Sequence, residues 1–241
     1  MKKLLFYFIC LLFLVSFHQN ANSQSYRTDW NGPWGVGAGF GPTSYIGDLN
    51  EHNDNRFLMI PQSLSFAGTG WFSKGFGPIT LVLQMNLGRL QSRDYTKDQK
   101  FRGNFYDYGG KVRLNMNQLL LGKKYSKDRW NFYIQGGVGL MRYSSYLTDM
   151  NDELINQVGY AAIGKAFTIS GGAGIIYYMT DEANLIIGVD YSILNSDDVD
   201  AKIIGASNDH YMFMKLGFSY TLSNGYSSSG GRRRSLLWGK F

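Results

Sequence analysis

The sequence predicts an all-β protein, a closed antiparallel transmembrane β-barrel of eight strands, and three observations predict it. An export signal precedes a chain with no second long apolar run. The later residues alternate apolar with polar or small types, and the connections between the alternating segments are long and short by turns.

The signal comes first in the chain. Lys2 and Lys3 precede an apolar stretch from Leu4 to Phe17, and a polar stretch then leads to Ala21-Asn22-Ser23, a small-x-small cleavage site. The apolar stretch is shorter than the roughly 20 residues that a spanning helix needs. It reads as a secretory signal, with the mature chain starting near Gln24. The expected organisation is a signal at 1–23, an N-terminal periplasmic segment at 24–33, the barrel at 34–222 and a flexible tail at 223–241. The single cysteine, Cys10, falls inside the signal, so disulfides and thiol catalysis are excluded from the mature chain.

Charge points the same way. With Lys2 and Lys3 removed from the 24 basic residues, 22 face 18 acidic ones, and Arg232, Arg233, Arg234 and Lys240 in the tail account for that excess of four. The basic character belongs to the tail, so the high pI is not evidence for a nucleic-acid-binding face, and no nucleic-acid partner is expected.

Successive side chains of a strand face opposite sides, so alternation locates the strands. Segment one runs from Trp34 to Ile46 and segment two from Leu58 to Phe72. In the third, Ile79, Leu81, Leu83, Met85 and Leu87 alternate with Thr80, Val82, Gln84, Asn86 and Gly88. In the fourth, Tyr106, Tyr108, Gly110, Val112, Leu114 and Met116 alternate with Asp107, Gly109, Lys111, Arg113, Asn115 and Asn117. Three more run from Trp130 to Tyr143, Phe167 to Met179 and Asn184 to Leu194. The eighth places Met212, Met214, Leu216, Phe218, Tyr220 and Leu222 against Tyr211, Phe213, Lys215, Gly217, Ser219 and Thr221.

Long polar connections are expected at 47–56, 91–104, 144–166 and 195–209, and short turns at 73–77, 119–129 and 180–183. Barrels of the outer membrane have short periplasmic turns and longer external loops, which puts both chain ends in the periplasm. A soluble barrel would turn its apolar face inward. Here the polar face holds Asp107, Lys111, Arg113, Asp190 and Lys215, a costly set for a soluble core. An eight-stranded barrel is only wide enough for its own side chains, so these five residues read as a hydrogen-bonded ionic plug.

The rim offers other chemistry. His52 and His210 fall at the external ends of strands one and eight, near Ser44, Asp48, Asp197, Asp198, Asp200 and Asp209, which suggests a Ser-His-Asp hydrolase of lipid or peptide. No nucleophile motif accompanies them, and the favoured reading is non-enzymatic. The acidic run Asn195 to Asp200 has oxygen ligands at Ca²⁺-like spacing but lacks the glycine and distal glutamate of an EF-hand loop. It reads as a solvated loop, so no metal and no cofactor are expected.

The first strand and the residues after it read Gly35-Val36-Gly37-Ala38-Gly39-Phe40-Gly41-Pro42-Thr43-Ser44-Tyr45-Ile46-Gly47-Asp48-Leu49-Asn50. The motif Tyr45, Ile46, Gly47, Asp48 and Leu49 resembles the opening of PorG-like outer-membrane barrels of Bacteroidota, which belong to the type IX secretion apparatus. Gly136-Gly137-Val138-Gly139 and the pair Asp197-Asp198 are similar in layout. The resemblance implies a scaffold without enzymatic activity that anchors periplasmic ring or lipoprotein components to the outer-membrane lipid. The tail offers a matching feature: a Ser-Gly linker, then Arg232, Arg233 and Arg234, then an apolar peptide containing Trp238 and ending in Phe241. Such a segment suits docking to an acidic partner or lying on the inner leaflet.

Overall fold

A computed structural model describes residues 32–46, 64–94, 98–121, 129–158, 164–180, 182–196, 199 and 209–222. Among them are nine strands and one short helix. In chain order these are β1 (Trp34–Ile46), β2 (Leu64–Phe76), β3 (Ile79–Asp94), β4 (Gln99–Asn115), α1 (Met116–Leu121), β5 (Trp130–Asp149), β6 (Leu154–Val158), β7 (Gly164–Tyr178), β8 (Ala183–Leu194) and β9 (His210–Leu222). Eight of the strands form a ring, in the order β1, β2, β3, β4, β5, β7, β8, β9. The ring closes where β9 pairs antiparallel with β1, from Trp34 opposite Leu222 to Ile46 opposite His210. Closure leaves the eight-stranded ring without an edge, the condition for crossing lipid with β-structure, and β6 pairs only beyond the ring's β5–β7 seam. The fold is a closed antiparallel eight-stranded β-barrel.

Alternation now has a direction. Phe40, Phe66 and Leu83, from three different strands, are 64 %, 65 % and 66 % exposed and point outward. Outward apolar side chains encircle the ring, the reverse of a soluble barrel and far larger than the apolar patches that water-soluble surfaces tolerate. Along β5 the outward band runs from Trp130 to Leu140 before Arg142 interrupts it. At about 3.3 Å per residue and a tilt near 40°, that is about 25 Å along the barrel axis, the height of a lipid-facing band. Aromatic rings gather where the band ends beside the short turns. Trp34 stacks on Phe72 at 4.9 Å with Lys74 Nζ 4.6 Å above its ring, and Trp130 packs on Tyr177 at 4.5 Å. Amphipathic rings of this kind settle at a membrane–water interface.

The connections differ from expectation in four places. Residues 58–63 of the expected second strand lie outside the described residues; β2 runs on to Phe76, and the turn into β3 contracts to Gly77 and Pro78, with Gly77 at φ +63°. Glycine adopts that left-handed conformation without steric cost, as a two-residue hairpin requires. The expected long loop at 91–104 is instead paired hairpin, with β3 and β4 in register to Asp94 opposite Gln99. β5 likewise continues past the band to Asp149 and pairs with β6 at Ser145–Thr148, in the place that β7 occupies lower down. Met116, expected in strand four, begins α1, whose Asn117 donates to Trp130 O at 2.8 Å and accepts from Phe132 N.

An arginine placed at the middle of the apolar band should be strongly resisted. Leu83→Arg is expected to destabilise the folded barrel by about 2–4 kcal/mol, read as a lower urea midpoint for protein refolded into lipid vesicles.

Candidate functional site

The five residues expected in the lumen come from three strands. Asp107, Lys111 and Arg113 lie on the inward face of β4, Asp190 on β8 and Lys215 on β9, and all five are buried. Lys111 stands opposite Gly137 and lies over it, and Lys215 stands opposite Gly188.

Asp190 is the hub. Its Oδ2 accepts from Lys111 Nζ at 2.9 Å and from Lys215 Nζ at 2.8 Å, and its Oδ1 accepts from Gln135 Nε2 at 2.6 Å. Gln84 Nε2 adds a longer bond to Oδ2 at 3.3 Å, while Gln84 Oε1 accepts from Lys215 at 3.4 Å. One carboxylate thus compensates two ammonium groups, and amides from β3 and β5 take up the remaining hydrogen-bonding capacity.

Asp107 and Arg113 depart from the expected carboxylate–cation pairing. Asp107 accepts from the Tyr211 hydroxyl, from Asn86 Nδ2 at 3.1 Å and from Thr168 Oγ1 at 3.4 Å, so three neutral donors hold it. Arg113 Nε donates to Gln135 Oε1 at 3.1 Å, and its guanidinium lies 4.5 Å from the centre of the Tyr133 ring. Gln135 therefore links Arg113 to Asp190, and the Asn86–Gln84 pair links Asp107 to Asp190. The layer is one connected polar network, and Gln84, Asn86, Gln135, Thr168 and Tyr211 belong to it as fully as the charged residues. Strand parity could have found Asn86, which stands opposite Asp107, Gln135, which stands opposite Arg113, and Tyr211, which shares the inward face of β9 with Lys215. Gln84 and Thr168 stand opposite no charged residue, and only the closed ring brings them to the layer.

Apolar packing lies on both sides of this layer. Toward the long loops, Tyr45, Leu90, Phe101, Phe105, Met141, Leu147 and Phe213 form one buried cluster, with Tyr45 and Phe101 rings 5.1 Å apart. Tyr45 donates its hydroxyl to Asp209, whose other carboxylate oxygen accepts from Val199 N at 3.0 Å. Motif residues Gly47, Asp48 and Leu49 lie outside the described residues, and Ile46 ends β1. Toward the short turns, Trp71, Val82, Tyr133, Ile176 and Ile186 form a second cluster. Its two large rings set the glycines around them. A Cβ at Gly37 or Gly217 would collide with Trp71, and one at Gly174 or Gly188 with the Tyr133 hydroxyl.

Of the rim residues expected of a hydrolase, the described His210 and Asp209 do not face each other. His210 lies on the outer face, stacked on Tyr191 at 5.6 Å, and its Nδ1 is buried with no hydrogen-bond partner among the described residues. Asp209, which would orient it, is turned inward to Tyr45 and Val199. His52, Asp48, Asp197, Asp198 and Asp200 lie outside the described residues, as do Arg232, Arg233, Arg234, Trp238 and Phe241 of the tail. Among the described residues no cluster of metal-ligating side chains occurs.

A ring of this strand number with an apolar exterior and a packed polar interior defines a small transmembrane β-barrel. No family model and no curated protein sequence matches the chain. Among solved structures, Neisserial surface protein A is similar over 78 % of this chain and 97 % of its own, with a TM-score of 0.52 and 12 % identity. The Yersinia pestis attachment invasion locus protein Ail aligns over 80 % of this chain and 99 % of its own, at a TM-score of 0.46 and 11 % identity. The outer membrane protein OprG from Pseudomonas aeruginosa aligns over 80 % and 96 %, at 0.45 and 12 %. The likeness to the neisserial protein shows the shared fold.

Removing the hub carboxylate would strand two buried ammonium groups. Asp190→Ala is expected to cost about 3–5 kcal/mol of folding stability, measured by urea unfolding in lipid vesicles, and Asp190→Ala/Lys215→Met should recover part of that loss.

Proposed function

We propose that the protein is a non-enzymatic outer-membrane barrel that serves as a structural anchor, with its short turns and both chain ends in the periplasm. The observation that carries this reading is the filled lumen. A buried apolar cluster, a connected polar layer and a second apolar cluster succeed one another along the barrel axis. A wall of eight strands encloses little more than these side chains, which leaves no aqueous path for a solute. Activity then resides in what the barrel presents at its two ends.

The finer reading is a component of a type IX-like secretion assembly that holds periplasmic or lipoprotein partners. The resemblance at Tyr45 to Leu49 and the composition of residues 223–241 support it. Arg232, Arg233 and Arg234 supply positive charge, and Trp238 and Phe241 supply apolar anchors, on a Ser-Gly linker long enough to reach a neighbour.

Two measurements test these readings. Purified protein in planar lipid bilayers should give no steady ohmic current, and a stable conductance would overturn the plugged anchor. Affinity purification of the full chain and of a chain lacking residues 226–241 should recover different partner sets, and identical sets would remove the tail from partner binding.

A further inference from the structure

The outer face at the loop end is electrically lopsided. Outward positions there carry Arg89 and Arg93 on β3, Arg102 on β4, Arg142 on β5 and Lys165 on β7, all exposed. The corresponding outward positions of β8, β9, β1 and β2 carry no Lys or Arg among the described residues. Arg102 stands opposite Gln91, which sets it diagonally between Arg89 and Arg93, about 7 Å from each between Cβ atoms. Among the described residues none of the three arginines forms an ion pair. Asp152, whose field reaches Arg102, is already bonded to Lys100 at 2.6 Å, and that ammonium holds its carboxyl below the usual carboxylate range. The hairpin's Asp98 stands at its tip, beyond Arg93.

A groove continues from this triad down the lipid-facing side. It holds about 660 Å³ and is lined by Gly70, Leu83, Met85, Leu87, Tyr108 and Gly110. Leu87 and Arg89 are successive outward residues of β3, so the groove's loop end opens at the arginines. Packing does not require the glycines that form it. A Cβ at Gly70 would lie 3.9 Å from its nearest atom and one at Gly110 would lie 4.0 Å away, whereas inward Gly109 or Gly137 would collide with backbone.

We propose that β2, β3 and β4 bind a phosphate-bearing lipid of the leaflet that meets the loop end, its phosphate held by Arg89, Arg93 and Arg102 and an acyl chain lying in the groove. Three guanidinium groups with no carboxylate partner among the described residues, at the upper boundary of an apolar band, complement a phosphate at headgroup height. The groove extends from them in the direction an acyl chain takes. This site requires a bilayer but not the anchoring role, and neither bilayer conductance nor partner recovery bears on it.

Native mass spectrometry of the full chain in a neutral detergent tests the proposal with three probes: phosphatidic acid, diacylglycerol with the same acyl chains, and inorganic phosphate. Phosphatidic acid should bind at least about tenfold tighter than diacylglycerol, and Arg89→Gln/Arg93→Gln/Arg102→Gln should lose about that factor. Gly70→Val/Gly110→Val should weaken lipid binding and leave inorganic phosphate unchanged. Retained heat-modifiable gel mobility establishes that each variant folds. Equal binding of phosphatidic acid and diacylglycerol would overturn the proposal, as would an inert arginine triple variant. Inorganic phosphate binding as tightly as the lipid would make this a free-anion site. An equal loss in Arg142→Gln/Lys165→Gln would reduce it to the general field of the rim.

Discussion

Within a hydrocarbon layer no water is present to satisfy a backbone N–H or C=O, and each unpaired group there costs several kcal/mol. The pairing of β9 with β1 meets that demand by removing the last two edges of the sheet. Everything else about the wall depends on that closure. A closed ring has one inside and one outside, so each strand commits every second side chain to lipid and the others to a confined lumen. With eight strands the lumen is narrow, and its contents must pack as tightly as a protein core.

That confinement explains the partition of residue types along the axis. Trp71 and Tyr133 are too large to share a cross-section with side chains facing them, and glycines occupy those facing positions. Lys111 and Lys215 are tolerated because Asp190 neutralises them at close range and Gln84 and Gln135 occupy its remaining lone pairs. A buried pair of this kind is weak evidence for net stability. Its clearer consequence is specificity: β3, β4, β5, β7, β8 and β9 contribute to one network that forms only when all of them are in register.

A filled lumen moves chemistry to the two ends and to the outer surface. The loop end is closed by Tyr45, Phe101 and Phe213 and bordered by cations on half its circumference, while the turn end carries the Trp and Phe girdle. This polarity fits a protein that works through the surfaces it presents.

Much of this was legible in order along the chain. The alternation of β9, β3 and β4 reads off the residues because lipid and lumen impose opposite demands on neighbouring side chains, and that contrast determined the strand number, the closed ring and the inward set containing Asp107 and Asp190. The contrast vanishes above the band, where both faces of a strand meet water, so residues 91–94 and 99–104 read as loop although they are paired. Parity also fixes a face but not a height. Only the stagger of the closed ring decided that Asp190, and not Asp107, meets Lys111 and Lys215, and that Tyr45 turns inward to Asp209. Neighbours across a barrel are set by the register of every intervening strand pair, a sum of local pairings that residue types along one segment do not contain.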